Sequence, residues 1–146
     1  MFDEARRLIR EFKGDAYAFG AGALERSGEL AAQLARRAVI VRGSSAASRR
    51  VADQVQRSLR AMDVGVIGEI AGARPNAPRE DVLRIANQLG ELDELRTRGA
   101  NVIVVIGGGS AIDAVKAANV LLTLGGQIDA YFGVGRVTEA LTAGGR

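Results

Sequence analysis

The chain has 146 residues, 47% hydrophobic and 25% charged, which suits one soluble domain with a real core and excludes a disordered class. Its net charge of +3 comes from arginine, Lys13 and Lys116 being the lysines, and the basic residues are interleaved with acids and lack the aromatics of a nucleic-acid stripe. With no cysteine and no histidine, disulfides, thiol ligands, a Ser-His triad, a histidine base and a histidine-ligated metal are outside the chemistry of these residues.

Residues 1–13 predict a short amphipathic helix with Leu8, Ile9 and Phe12 on one side, ended by Gly14 and Asp15. This segment is charged and has neither the apolar core nor the cleavage site of a signal peptide, and no apolar run is long enough to span a bilayer, so a cytoplasmic location is expected. Tyr17–Phe19 is a candidate strand closed by the Gly20-Ala-Gly22 turn, and residues 23–36 form a candidate helix. Ala38–Val41 is an apolar strand ending in the polar turn Arg42-Gly43-Ser44-Ser45. A helix over 46–62 places Val51, Val55, Leu59 and Met62 on one stripe, and Val64–Ile70 is a third strand.

The loop from Gly72 to Pro78 holds both prolines and leads into a helix whose first turn carries Glu80 and Asp81, near the positive end of its dipole. That helix is expected to run to about Arg98 with Val82, Ile85, Leu89 and Leu92 on its apolar face. Val102–Ile106 is a continuous apolar run, suited to a strand buried on both faces in the middle of a parallel sheet. A helix follows with Ser110 as its expected N-cap, stopping at Gly125-Gly126, and residues 127–146 read as irregular. The alternation predicts an α/β domain, Rossmann-like, with a mostly parallel sheet and helices on both faces. The loops Arg42–Ser45, Gly72–Pro78 and Gly107–Ser110 then share the carboxyl edge of the sheet, where such folds bind ligands.

Gly107-Gly108-Gly109-Ser110 between a strand and a helix is a physical recipe for a phosphate site, because close backbone amides and a helix dipole face the ligand. It fails the dinucleotide fingerprint, having Ile112 where a third glycine belongs, and it fails the P-loop pattern. A tight turn that needs no ligand is the alternative. Asp113 fits an acidic capping box with Ser110 and would repel a phosphate unless it points toward a sugar or nicotinamide; Lys116 can balance it by an i,i+3 pair. At the end of the second strand, where an acid would hold ribose hydroxyls, stands Gly43, with Arg42 and Ser44 beside it. That turn is either a plain serine-capped turn or a pocket open to a 2′-phosphate.

The ordered elements Phe19-Gly-x-Gly-Ala-Leu24, Val39-Ile-Val-x-Gly43, Arg74-Pro-Asn-x-Pro78 and Gly107-Gly-Gly-Ser-x-x-Asp-x-x-Lys116 resemble the N-terminal half of iron-containing (group III) alcohol dehydrogenases, relatives of glycerol dehydrogenase and dehydroquinate synthase. The resemblance runs from Tyr17 to about Leu141. It implies a Rossmann-like domain for NAD or NADP, in which Gly108, Gly109 and Ser110 meet the pyrophosphate, Gly107 belongs to the same cofactor-binding turn, Asp113 lies toward the nicotinamide, and Asn76 lines the adenosine end. Gly43 replaces the aspartate common in NAD-selective members, which puts NADP ahead of NAD. The expected ligands and partners are therefore a dinucleotide, a small alcohol or aldehyde, and a second subunit in a dimer, with no nucleic acid or membrane.

The same resemblance implies a helical C-terminal domain whose aspartate and histidines hold iron or another divalent metal, needed to polarise the substrate oxygen. That domain is absent from residues 1–146, so the expectation is a single NAD(P)-binding domain, with 1–16 as an extension, that is inactive alone. The competing expectation is a stand-alone module for a nucleotide or sugar phosphate, prompted by Ser44, Ser45 and Ser48 at a helix start.

Overall fold

A computed structural model describes residues 2–94 and 101–144. Its centre is β1 (Arg37–Arg42), where Ala38, Val39, Ile40 and Val41 are at most 3% exposed. Residues that alternate sides along this strand are apolar on both sides, so both faces demand cover. β2 (Gly65–Ala71) and β3 (Asn101–Ile106) pair with it, both parallel, in the order β2-β1-β3.

Two helical layers supply the cover. On one face α2 (Ser27–Ala32) and α3 (Ala46–Ala61) bury Ala31, Ala52, Val55 and Leu59 against Ala38 and Ile40. On the other, α4 (Arg79–Glu94) and α5 (Gly109–Leu124) bury Val82, Ile85, Leu89, Ala114, Val115 and Leu121 against Val39 and Val41. The expected parallel α/β sheet with helices on both faces is therefore observed. The stripes expected for α3 and α4 also match, except that Met62 lies past the end of α3 and is 39% exposed.

Close approach is arranged by two glycines. β2 carries an irregularity where Ala38 pairs with Val66 but Val39 pairs with Gly68, so Ile67 is the extra residue. A Cβ on Gly68 would come 2.7 Å from Leu92 Cδ1, so glycine lets α4 settle on the strand. In α2, a Cβ on Gly28 would fall 2.1 Å from the Ser58 carbonyl oxygen. There the Gly28 amide donates to Ser58 Oγ at 2.9 Å, and that hydroxyl donates on to the Glu25 carbonyl at 2.7 Å.

Several expectations are corrected. Tyr17–Phe19 is not a strand; three residues between two turn-forming glycines pair with nothing in the sheet. The helix expected over 23–36 is a 3-10 turn, Ala23–Arg26, followed by the short α2, because the chain must bend for Gly28 to reach α3. β3 pairs among the described residues with β1 alone and is half-buried throughout, since β1 holds the central place. α4 is described to Glu94; its expected extension to Arg98 lies outside the described residues. Residues 127–146 are not wholly irregular: a 3-10 turn, Ile128–Tyr131, precedes α6 (Arg136–Ala143). Arg79 secures that turn through two bonds to Asp129, at 2.7 and 2.6 Å, and stacks over Phe132. The helix expected at the N-terminus forms as α1 (Phe2–Lys13), but Leu8 and Phe12 stay exposed.

Gly28, crowded by backbone, and Gly90, in α4 with room for a side chain, predict opposite substitution effects. Gly28→Ala forces α2 off α3 and should cost about 1–3 kcal/mol. Gly90→Ala, whose Cβ would make ordinary contact with Leu122 Cδ1 at 3.6 Å, should be neutral or stabilise by up to about 1 kcal/mol through helix propensity. Urea unfolding measures both.

Candidate functional site

Parallel pairing brings the carboxyl ends of β1, β2 and β3 to one edge. The chain leaves β1 for β2 through α3 on one face and returns to β3 through α4 on the other. The direction thus reverses between β1 and β3, the position where open α/β sheets form a ligand crevice. The three loops expected to share this edge do so.

The β3–α5 turn has its three glycines exposed. Helix α5 begins at Gly109 with Gly108 as N-cap, in extended backbone (φ −88°, ψ −168°), and no side chain caps it. Ser110 is therefore not the N-cap, and the capping box with Asp113 does not form. The first amides of a helix have no carbonyl one turn earlier, so those of Gly109 and Ser110 face outward for an external acceptor. None of the three glycines has a positive φ, and a Cβ on Gly108 or Gly109 would meet nothing within 4 Å. Gly107 alone has an internal reason to be glycine, a Cβ there lying 2.7 Å from that of Ala111.

Ser110 has a different task from the one expected. Its hydroxyl accepts a 3.1 Å hydrogen bond from the Asn76 amide, tying the β2–α4 loop to α5. Asn76 and Ala77 are left-handed, with φ of 65° and 48°, a conformation Asn tolerates and Ala rarely adopts. The loop is held there by Asp81, 7% exposed, which accepts from the Arg74 amide at 2.8 Å and from Arg74 Nε at 2.9 Å. Arg74 also donates to Glu80 at 2.8 Å, while Arg84 donates to the Ala71 and Gly72 carbonyls at 2.9 and 3.1 Å. The Arg74 side chain, then its amide, hold Asp81 below the usual carboxylate value against burial that pushes it up. Glu80 is lowered first by its own backbone amide, then by Arg74.

At the end of β1, Gly43 and Ser44 line a hollow of about 250 Å³ with Arg42, Arg49, Glu69, Ile70 and Ala71. Arg42 is not available to a phosphate as expected: it is paired with Glu69 on β2 and donates to the Gly43 carbonyl at 2.9 Å. Ser45 caps α3, accepting from the Ser48 amide at 3.1 Å. A Cβ on Gly43 would meet only Ser48 Oγ, at 3.8 Å, and Gly43 has no positive φ, so the fold does not require glycine here either. Arg49 is the residue that sequence reading missed. It stands one turn into α3, and helical side chains lean toward the helix N-terminus, here toward Gly43.

Asp113 and Lys116 lie exposed on α5 without forming the i,i+3 pair expected of them. A larger hollow, about 620 Å³ beside Gly22, Leu24, Gln54 and Arg57, lies on the outer side of α3, away from the strand ends. Among the described residues no group of three His, Cys, Asp or Glu side chains could hold a metal ion, so the metal implied by the resemblance has no fitting site there. Among the same residues no helix is long and apolar enough to cross a membrane.

The model of the iron-containing alcohol dehydrogenase family matches residues 15–143. The chain belongs to this family. It is 34% identical over 124 residues to alcohol dehydrogenase 4 of Saccharomyces cerevisiae, covering 84% of this chain and 30% of the yeast protein. A shorter match, 56% over 45 residues, links it to sulfoacetaldehyde reductase of Bilophila wadsworthia, covering 31% of this chain and 12% of that protein. Among solved structures, NADH-dependent butanol dehydrogenase A of Thermotoga maritima is similar with a TM-score of 0.61 and 28% identity, over 78% of this chain and 28% of that one. An archaeal halo-thermophilic alcohol dehydrogenase from a Red Sea brine pool is similar with a TM-score of 0.58 and 27% identity, over 71% of this chain and 24% of that one. The chain thus spans less than a third of the length of each of these relatives.

Asp81 carries a sign-definite pH prediction. Its folded pKa is depressed below the unfolded value of about 3.9, so its stabilisation is present above that pH and is lost as pH falls through the folded pKa. Thermal melts from neutral to strongly acid pH should show Asp81→Asn with a lower Tm at neutral pH and a shallower fall on the acid side. Parallel curves for the two proteins would show that Asp81 does not hold the loop.

Proposed function

We propose that this chain is the NAD(P)-binding domain of an iron-type, metal-dependent alcohol dehydrogenase. The single observation that carries the reading is the pair Gly108 and Gly109. Neither backbone angle nor packing calls for glycine at these positions, yet a side chain at either would stand where a ligand must approach the first amides of α5. An anion at those amides accounts for both glycines, and the position at the strand-order reversal matches a dinucleotide's pyrophosphate. A simple turn would carry the entropic cost of consecutive glycines for no return.

In this reading the amides of Gly109 and Ser110 bind the pyrophosphate, with Gly107 keeping the turn tight against α5. Asn76, fixed to Ser110, lines the adenosine end, and Gly43 with Ser44 receives the adenine-side ribose. Asp113, one turn along α5 from Ser110, faces the nicotinamide side, clear of the phosphates. When bound, the nicotinamide supplies or accepts a hydride; the chain's own residues bind and orient it. Polarising the alcohol or aldehyde oxygen falls to a metal held by polypeptide outside the described residues, and these residues alone bind cofactor without turnover. The Thermotoga relative is named as NADH-dependent, so membership in the family does not choose between cofactors, and NADP is placed ahead on Gly43.

Gly108→Val tests the reading with little risk to the fold, because a Cβ there meets open space. Its Tm should stay close to that of the parent. Affinity for NADPH and NADH, followed by nicotinamide fluorescence, should fall at least about tenfold, as expected for removing one strong hydrogen bond to the phosphate. Unchanged affinity for both nucleotides would overturn the assignment of the pyrophosphate to α5.

A further inference from the structure

The hollow beside Gly43 has more positive charge than its own structure uses. Its charged side chains are Arg42, Arg49 and Glu69. Arg42 and Glu69 neutralise one another by their ion pair. Arg49, exposed on α3, has no hydrogen bond or ion pair among the described residues. Two polar atoms at this turn, Arg42 Nε and Ser48 Oγ, are buried without a hydrogen-bond partner, which is costly unless something supplies one. Ser44 adds an exposed hydroxyl at the rim, and Gly43 keeps the mouth open and uncharged.

A surplus cation, a hydroxyl and the first turn of α3 around a space of this size fit a phosphomonoester better than a pair of ribose hydroxyls. An NAD-selective site places an acid at the strand end to accept from the 2′-hydroxyl and repel a 2′-phosphate; here Gly43 stands at that end, Glu69 is paired with Arg42, and Arg49 adds a cation. We propose that Arg49 pairs with the 2′-phosphate of NADP in the hollow beside Gly43 and makes the site selective for NADP over NAD. The assignment rests on the dinucleotide reading above and adds to it the residue that would hold the 2′-phosphate. The Arg42–Glu69 pair acts as the floor: it removes Glu69 as a repelling charge without competing for the phosphate.

The test is equilibrium binding of NADPH and NADH to the 146-residue chain and to its Arg49→Gln and Arg50→Gln variants, with 2′-AMP, 5′-AMP and glucose 6-phosphate as competitors. The chain should prefer NADPH, and 2′-AMP should compete better than 5′-AMP. Arg49→Gln should weaken NADPH about 10- to 100-fold, the range for one charge-assisted hydrogen bond, while leaving NADH unchanged. Arg50→Gln, a neighbouring exposed cation outside the hollow, should leave the preference intact. Equal loss of both nucleotides in Arg49→Gln, or no loss of NADPH, overturns the role of Arg49. Arg49-dependent binding of glucose 6-phosphate without selective binding of 2′-AMP assigns the hollow to a free sugar phosphate and overturns the NADP assignment. A parent chain that binds NADH but not NADPH contradicts this inference alone, whereas one that binds neither takes down the dinucleotide reading as well.

Discussion

The Asp81 carboxylate holds the site together. Among the described residues it is the buried charged group, and it is compensated by the Arg74 amide and guanidinium on the facing loop. A buried carboxylate with several donors is strongly directional, whereas removal of any donor leaves desolvation without return. Through this pair the β2–α4 loop is bent so that Asn76 and Ala77 take left-handed angles and the Asn76 amide reaches Ser110. Strain at two adjacent residues persists only where the surroundings over-determine it, and such positions gather at binding sites. The ion pair, the strained turn and the bond to Ser110 set one side of the crevice beside the glycine turn.

Glycine in this chain serves two separable purposes. Gly28 and Gly68 are needed by packing, because a single carbon would collide with a carbonyl or a leucine already in place. Gly43, Gly108 and Gly109 are not needed by packing or by backbone angle, and all three sit at the carboxyl edge of the parallel sheet. Gly65 and Gly90 are equally unforced elsewhere in the fold; the functional proposal rests on Gly43, Gly108 and Gly109 being unforced at the edge where the topology admits a ligand. In the proposed reading the family suggests the class of reaction, and local charge at Gly43 and Arg49 would choose between the cofactors.

The central architecture was legible because β1, α3, β2 and α4 carry strong patterns: Val39–Val41 is apolar on both sides, and Val55 with Leu59 or Val82 with Ile85 and Leu89 repeat at helical spacing. What failed depended on partners distant in sequence. Tyr17–Phe19 has strand-forming residues but nothing to pair with in the sheet. Ser110 has the chemistry of an N-cap, but the helix starts at Gly109 and the hydroxyl is claimed by an amide 34 residues away. Arg42 looks open to a phosphate until the strand register places Glu69 diagonally opposite on the same face. Helix α6 was hidden by Gly133 and Gly135, although Val137, Ala140 and Leu141 repeat at helical spacing. Of the candidate site, the shared edge of the three loops was legible, whereas the Asn76–Ser110 bond and the place of Arg49 on the hollow beside Gly43 were not, because both depend on how the loops fold together.

In the proposed function the amides opening α5 hold the cofactor's pyrophosphate. Backbone amide NMR during titration with NADPH reads this position by position. The largest shifts, and slowed hydrogen exchange, are expected at Gly108, Gly109 and Ser110, with a coupled response at Asn76 and a second group at Gly43 and Ser44. Shifts confined to the hollow around Gly22, Gln54 and Arg57 on the outer side of α3, with the α5 amides unmoved, would contradict it.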